Sequence, residues 1–359
     1  MRKLVFVVVA ACGDPGGQNP GTDSRPSDDD GATDDSNGGK VLDPTPGNYR
    51  LTCDGSGAVA IDFDTFLDIN DENQGVRIYR RAADGPPSQV VDITAGLGLD
   101  PDDEADLEDL ARTGDRIYAI TSHGRNTSGK IKPARYRFAA LDLTNTLVGL
   151  GVDVAGYSST LLPQMLDAGN WATPNTDVIA ALEASSQLDV NEAPELAPEN
   201  MGTNMEALAV GSSGELVIGF RNPRPNDRAI VVTLTNPAEV VTGAVARFGA
   251  AGTLDLGGLG IRSMTYSESH GAILIIAGPH NGGGPFKLYR WSGALDAAPE
   301  EVTTITAPAD SAPEAVVAYP GTKDVQIVFD QGDALIGGVI CKEVAADSRV
   351  FTDAIVHVD

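Results

Sequence analysis

Positive charge is scarce in this chain. Lys and Arg total 25 against 51 Asp and Glu, His adds only 4, and the formal net charge is -26. Grasping nucleic-acid phosphates takes basic surface, so DNA and RNA drop out as partners. The acidic balance favours solubility, repulsion from anionic membranes and attraction of cations. Cysteine is scarcer still, at 3 residues, and no Cys or His spacing typical of a zinc site occurs. No G-x-S-x-G elbow of a serine hydrolase occurs either. The apolar run at the N-terminus, Leu4–Val9, is too short to cross a bilayer. A hydrophobic content of 42% is nevertheless enough for a globular core. At 359 residues the chain exceeds what one compact core usually holds, unless the architecture is modular.

The N-terminus, "MRKLVFVVVAAC", places basic Arg2 and Lys3 before that apolar run, then small Ala10 and Ala11. This is the order of a signal peptide. "VAAC" resembles the bacterial lipobox. The resemblance implies a signal over residues 1–11, cleavage before Cys12, and lipid on Cys12 that holds the protein at a membrane surface. Gly13 in the next position resembles the pattern sent to the outer membrane. A signal without lipidation and a chance apolar start are the alternatives. Residues 12–46 are rich in Gly, Pro, Ser, Asn and Asp. They bury too little apolar surface to offset chain entropy, so they read as a disordered acidic tether.

Residues 47–359 repeat themselves. "DLEDLARTGDRIYAITSH" from Asp106, "NMEALAVGSSGELVIGFRNP" from Asn204, "GIRSMTYSESHGAILIIAG" from Gly260 and "APEAVVAYPGTKDVQIVFD" from Ala312 share one plan of apolar run, turn and second apolar run. The runs are short, rich in Val, Ile, Leu and Ala, and bounded by turn residues, which is strand chemistry. Such periodicity predicts an all-β fold, a β-propeller of five four-stranded blades, with six as the other count and a sandwich or solenoid as the rival architecture. The last blade is expected to take its third and fourth strands from "LIGGVICKEV" and "AIVHV", and the third blade to end on "GAVARF". The fourth strand of the second blade has no clear signal. Residues of about 145–200 lack the repeat and carry helical spacing, so they predict a helical insertion between blades two and three. Thr176 is the expected cap of its second helix, with Asp177 in the first turn.

Cys53 precedes the first blade and Cys341 lies in the last. In a closed ring these blades are neighbours, so a disulfide between them in an oxidising compartment stands beside two free buried thiols as the reading.

Alignment of the repeats puts Glu108, Glu206, Arg262 and Glu314 at one position of the first strand. First strands line a propeller's axis, so these side chains are expected to converge, either as ion pairs that plug the ring or as ligands to Ca²⁺. A second ring is expected where second strands end: Asn70, Asp71 and Glu72; Ser122, His123 and Arg125; Arg221 and Asn222; Pro279 and His280; Asp330. Arg125 and Arg221 there suit a small anionic ligand. Ser122 and His123 are adjacent on a strand and point to opposite faces, which separates them as nucleophile and base. Asp100, Asp102, Asp103, Glu104 and Asp106 form the densest acidic run. EF-hand spacing is missing, so the run reads as a solvated loop.

"FLDINDENQGVRIYR", "ITSHGRNTSGKIKPARYRF", "NMEALAV", "ELVIGFRNP" and "GIRSMTY" together resemble a bacterial family catalogued as a domain of unknown function. That family is similar in turn to esterase-like and phytase-like propellers. The resemblance implies a propeller and an extracytoplasmic location, and no catalytic residue. The functional expectation is a lipid-anchored propeller that binds a small ligand or an envelope protein. The alternative is a Ca²⁺-assisted hydrolase of phosphate or carboxylic esters.

Overall fold

A computed structural model describes residues 33–34 and 40–359, apart from 82, 147, 148 and 282. The expected signal peptide, Cys12 and the tether up to residue 39, apart from 33–34, lie outside the described residues. Twenty strands build five antiparallel four-stranded sheets. Blade one comprises Gly57–Ala60, Thr65–Ile69, Gly75–Arg80 and Gln89–Asp92. Blade two comprises Leu107–Thr113, Arg116–Thr121, Phe138–Thr146 and Gly149–Ser158. Blade three comprises Asn204–Val210, Leu216–Asn222, Ala229–Leu234 and Phe248–Leu254. Blade four comprises Gly260–Ser267, Ala272–Gly278, Phe286–Trp291 and Glu300–Ile305. Blade five comprises Ala312–Ala318, Asp324–Asp330, Val350–His357 and, from the other end of the chain, Asn48–Arg50.

The first strands pack side by side in chain order, and that of blade five meets that of blade one. The fold is therefore a closed five-bladed β-propeller. Each inner sheet is covered on both faces, which is why strands such as "AILIIAG" of Ala272–Gly278 are apolar and buried throughout instead of alternating.

Four expectations need correction. The third strand of blade five is Val350–His357, not "LIGGVICKEV". That segment forms a small separate hairpin, Leu335–Ile336 against Val339–Ile340, because Gly337 and Gly338 take positive φ values of 60° and 88° and turn the chain back. The fourth strand comes instead from Asn48–Arg50, with Tyr49 opposite Phe351. A three-residue strand with one apolar side chain is too short to show a period. Blade three ends on Phe248–Leu254, and the fourth strand of blade two is Gly149–Ser158. The latter is an outer strand with exposed positions, so its apolar signal is weak. The tether expectation ran to residue 46, but Leu42 is buried and its N–H donates to the Asp324 carboxylate at 2.7 Å.

The insertion carries helix α1, Leu161–Leu166, and helix α2, Thr176–Ser186. The cap of α2 is Asn175, whose side chain accepts from the Val178 N–H, and not Thr176; Asp177 does sit in the first turn. Val178, Ile179 and Leu182 pack with Met165, Trp171 and Phe248 in a core shared by blades two and three. The helices thus buttress those blades rather than cover the ring.

Blade five joins the two ends of the domain, and its seam with blade one is dense. Tyr49 lies 5.1 Å from Phe66, 5.3 Å from Tyr79 and 5.1 Å from Phe351, ring centre to ring centre. Pairs of this kind add about 0.5–1.5 kcal/mol each beyond burial. Close by, Cys53 and Cys341 form a disulfide across 288 residues of chain, with Cα atoms 5.9 Å apart. A cross-link enclosing so long a loop restrains the unfolded chain by up to about 5 kcal/mol in the loop-entropy account. Cys53→Ser is therefore expected to lower the urea midpoint strongly. The wild-type protein in reductant should move the same way, and a midpoint unchanged in both would show that the bond contributes nothing.

Candidate functional site

The geometry of the axis rests on one irregularity repeated four times. In blade two, Leu107 pairs with Thr121 and Asp109 with Ile120, which leaves Glu108 without a partner across the ladder. The same slip leaves Glu206 unpaired between Met205 and Ala207, Arg262 between Ile261 and Ser263, and Glu314 between Pro313 and Ala315. Each is the extra residue of a β-bulge, a device that re-aims a side chain. The four residues expected to converge do so at the same step of four first strands, and all are buried. Blade one breaks the pattern. Its ladder runs unbroken from Gly57 opposite Ile69, and a Cβ on Gly57 would lie 2.7 Å from both the Cα of Asp109 and the carbonyl oxygen of Glu108. Glycine there lets the bulged strand of blade two approach.

Glu108, Glu206 and Glu314 line a pocket of about 160 Å³ at the end of the axis where first strands begin, and Arg262 stands outside its lining, paired with Glu314. Asp106, Glu108, Glu206, Glu314 and Asp330 reach it from the blades, and Arg135 and Thr127 from the connection after the second strand of blade two. Pro198 and Glu199 add a wall from the end of the insertion. That wall is fixed by Asn222, whose side-chain amide donates to the Pro198 carbonyl at 2.9 Å.

Acids outnumber cations at the pocket, and part of that charge is paired. Arg221 Nη1 meets Glu206 Oε1 at 2.7 Å, Arg262 pairs with Glu314, and Arg135 pairs with Glu104 and with Asp106, the latter at 2.8 Å. Glu108 makes no ion pair or hydrogen bond within the described residues. Burial, then the neighbouring Glu206 and Asp106, push its carboxyl well above the usual range, which favours its protonated form. Several buried polar atoms around it lack partners: Glu206 Oε2 and Asn204 Oδ1 among acceptors, Arg221 Nε and Arg262 Nε among donors. Asp106 holds a positive φ of 60°, a conformation that Asp tolerates better than most residues.

One layer further along the axis the channel is closed. Asp109 Oδ2 accepts from the N–H of Leu208 at 2.9 Å and of Met264 at 3.2 Å, and Oδ1 accepts from the N–H of Leu110 at 2.9 Å. Ser263 Oγ donates to the same carboxylate and accepts from the Val316 N–H at 3.2 Å. One carboxyl and one hydroxyl thus tie the first strands of blades two, three, four and five. Beyond this plug the other mouth of the axis is wider, about 460 Å³, and lined by apolar side chains such as Val59, Leu208, Val210 and Tyr319.

A second acidic group adjoins the pocket on the side of blades one and five. Asp54, Asp71 and Glu72 each place one carboxylate oxygen within 4.8 Å of the others. Burial first, then Asp330, push Asp54 up to about 9 and Asp71 up to about 7. Lys342 faces them, with Nζ 2.6 Å from Glu72 Oε1.

Of the residues expected to form the rim, Asp71, Glu72, Arg221 and Asp330 stand at or beside this site. Three do not. His123 is fully buried against Tyr136, with Nδ1 2.8 Å from the Thr121 carbonyl oxygen, and burial pushes the imidazole down to about 4. It takes a positive φ of 48°, which turns it off the strand's alternation. Arg125 donates to the carbonyls of Gly129, Ser186, Gln187 and Val190 and so fastens the insertion. His280 lies beside Arg224 at 2.9 Å, outside the pocket. Sequence reasoning missed Asp54 and Lys342, and took Asp106 for part of a solvated loop. The one signal for the first two is that each follows a cysteine of the disulfide.

A family model described as a protein of unknown function (DUF3616) matches residues 168–323, from the insertion to blade five. No curated protein matches the chain. Among solved structures, the chain is similar to the PQQ-bound aldose sugar dehydrogenase of Streptomyces coelicolor, at 14% identity over 87% of this chain and 99% of that one, with a TM-score of 0.38. It is also similar to an exo-β-1,3-galactanase of Phanerochaete chrysosporium, at 9% identity over 91% and 63%, with a TM-score of 0.46. A GH43 β-1,3-galactosidase bound to galactodeoxynojirimycin gives 9% identity over 91% and 94%, with a TM-score of 0.45. These likenesses assign no role to any residue here.

Proposed function

We propose that this propeller is an exported, envelope-held binding protein whose axial pocket takes a small, neutral, hydroxyl-rich ligand. The observation that carries the reading is the mixture of unpartnered atoms on residues lining the pocket: acceptors on Glu206 and Asn204, a donor on Arg221. A hydroxyl group both donates and accepts, so several hydroxyls satisfy both sets, and buried polar groups left unpaired are costly. The guanidinium groups already face carboxylates or carbonyls, which leaves little for the small anion that the arginines alone suggest. A volume of about 160 Å³ restricts the bound part to a short polyol or one sugar-sized unit. The Cys53–Cys341 disulfide supports an oxidising compartment, and the lipobox-like start supports attachment through Cys12. No helix among the described residues is long and apolar enough to cross a membrane.

Ester hydrolysis is the second reading, and Glu108 is what favours it. A carboxyl whose protonated form is favoured, beside an arginine-held carboxylate, is the arrangement of a general acid with its partner.

Calorimetry with myo-inositol, glycerol and galactose is expected to give saturable binding for at least one of them, and none for inorganic phosphate. Glu206→Gln and Arg221→Gln should each weaken that binding about 10–100-fold, the effect of losing a hydrogen bond to a charged group. Binding of phosphate alone, or indifference to both variants, would reject the reading. Glu108→Gln separates the two functions. An amide still donates, so binding survives, whereas turnover of aryl esters or phosphates by acid catalysis would disappear. For the location, Cys12→Ser is expected to move the protein from the membrane fraction to the soluble one; retention in membranes would exclude the lipid anchor.

A further inference from the structure

We infer that Asp54, Asp71 and Glu72 form a calcium site in which Lys342 holds the place of the ion. The site lies beside the axial pocket and does not depend on what that pocket binds. The three carboxylates place their ligand atoms within 4.8 Å of one another. Two oxygens that are each about 2.4 Å from a shared Ca²⁺ can be no further apart than this. Asp330 is the fourth carboxylate of the group and acts on both Asp54 and Asp71.

Proximity of acids alone would not indicate a ligand. The independent observation is Asp54, which is 3% exposed and whose Oδ1 has no hydrogen-bond partner. A buried carboxylate oxygen without a donor is costly, and here it stands among other carboxylates with one cation nearby. That cation is Lys342, paired with Glu72 and close to Asp71, Asp54 and Asp330. The backbone is shaped around it. The Lys342 N–H donates to the Gly332 carbonyl at 3.2 Å, and the Gly332 N–H donates to Asp330 Oδ1 at 2.8 Å. Any side chain on Gly332 would collide with the Lys342 stem and with Asp54 Oδ1. The disulfide sets both halves, since Asp54 follows Cys53 and Lys342 follows Cys341. A lysine side chain has rotatable freedom that the carboxylates lack, so it can withdraw from Glu72 and leave a set of oxygen ligands for a hard divalent ion.

The test is calorimetric titration of the metal-stripped full domain with calcium chloride, without polyol, so that its outcome is separate from that of the axial pocket. One Ca²⁺ is expected to bind wild-type protein. Lys342→Met, which removes the competing charge, should bind it at least tenfold more tightly. Asp71→Asn should bind at least tenfold more weakly; if that variant does not fold, Glu72→Gln is read in its place. Asp102→Asn, in the exposed acidic loop, should change nothing. No Ca²⁺ bound by either wild type or Lys342→Met overturns the inference. So does weaker binding by Lys342→Met, or binding that survives Asp71→Asn and Glu72→Gln alike.

Discussion

One extra residue in each of four first strands governs the axis of this propeller. A regular ladder would alternate side chains between neighbouring blades, and the residues nearest the axis would pack as the rest of the core does. The bulge interrupts that alternation at the same step in blades two to five and turns Glu108, Glu206, Arg262 and Glu314 towards a shared space. Charged groups brought together out of water need partners. Pairing Arg221 with Glu206 and Arg262 with Glu314 satisfies most of that need within the ring itself. The Asp109 and Ser263 plug lies directly beneath and holds the strands at the spacing that the pairs require.

Blade one contributes differently. It has no bulge and offers a glycine where the others offer a charged side chain. Its polar residues, Asp54 before the first strand and Asp71 after the second, face blade five instead, where the ring closes. Asn48–Arg50 completes the last sheet while Cys53–Cys341 fastens the same seam. The ring is closed by backbone pairing, aromatic packing and a covalent bond at one place. That place also gathers acids around a single cation. The acids of the axial pocket are largely held by arginines, whereas the seam holds Asp54, Asp71, Glu72 and Asp330 against Lys342. Two neighbouring sites of different electrostatic character follow from one closure.

The sequence by itself determined the class of fold, the number of blades and the identity of the four axial residues. Each is a matter of periodicity, and a residue's position within a repeat is visible without coordinates. It could not show that those four positions are bulged, because a bulge is a property of register between two strands and leaves no mark on either strand alone. It misplaced His123 and Arg125 for a related reason: the strand of blade two ends in a left-handed turn at His123, so counting along the strand no longer gives direction. Tertiary structure alone decided which strand completes blade five, since three residues from one end pair with a strand from the other. It alone joined Asp54 to Lys342, because only closure of the ring brings together groups so far apart along the chain.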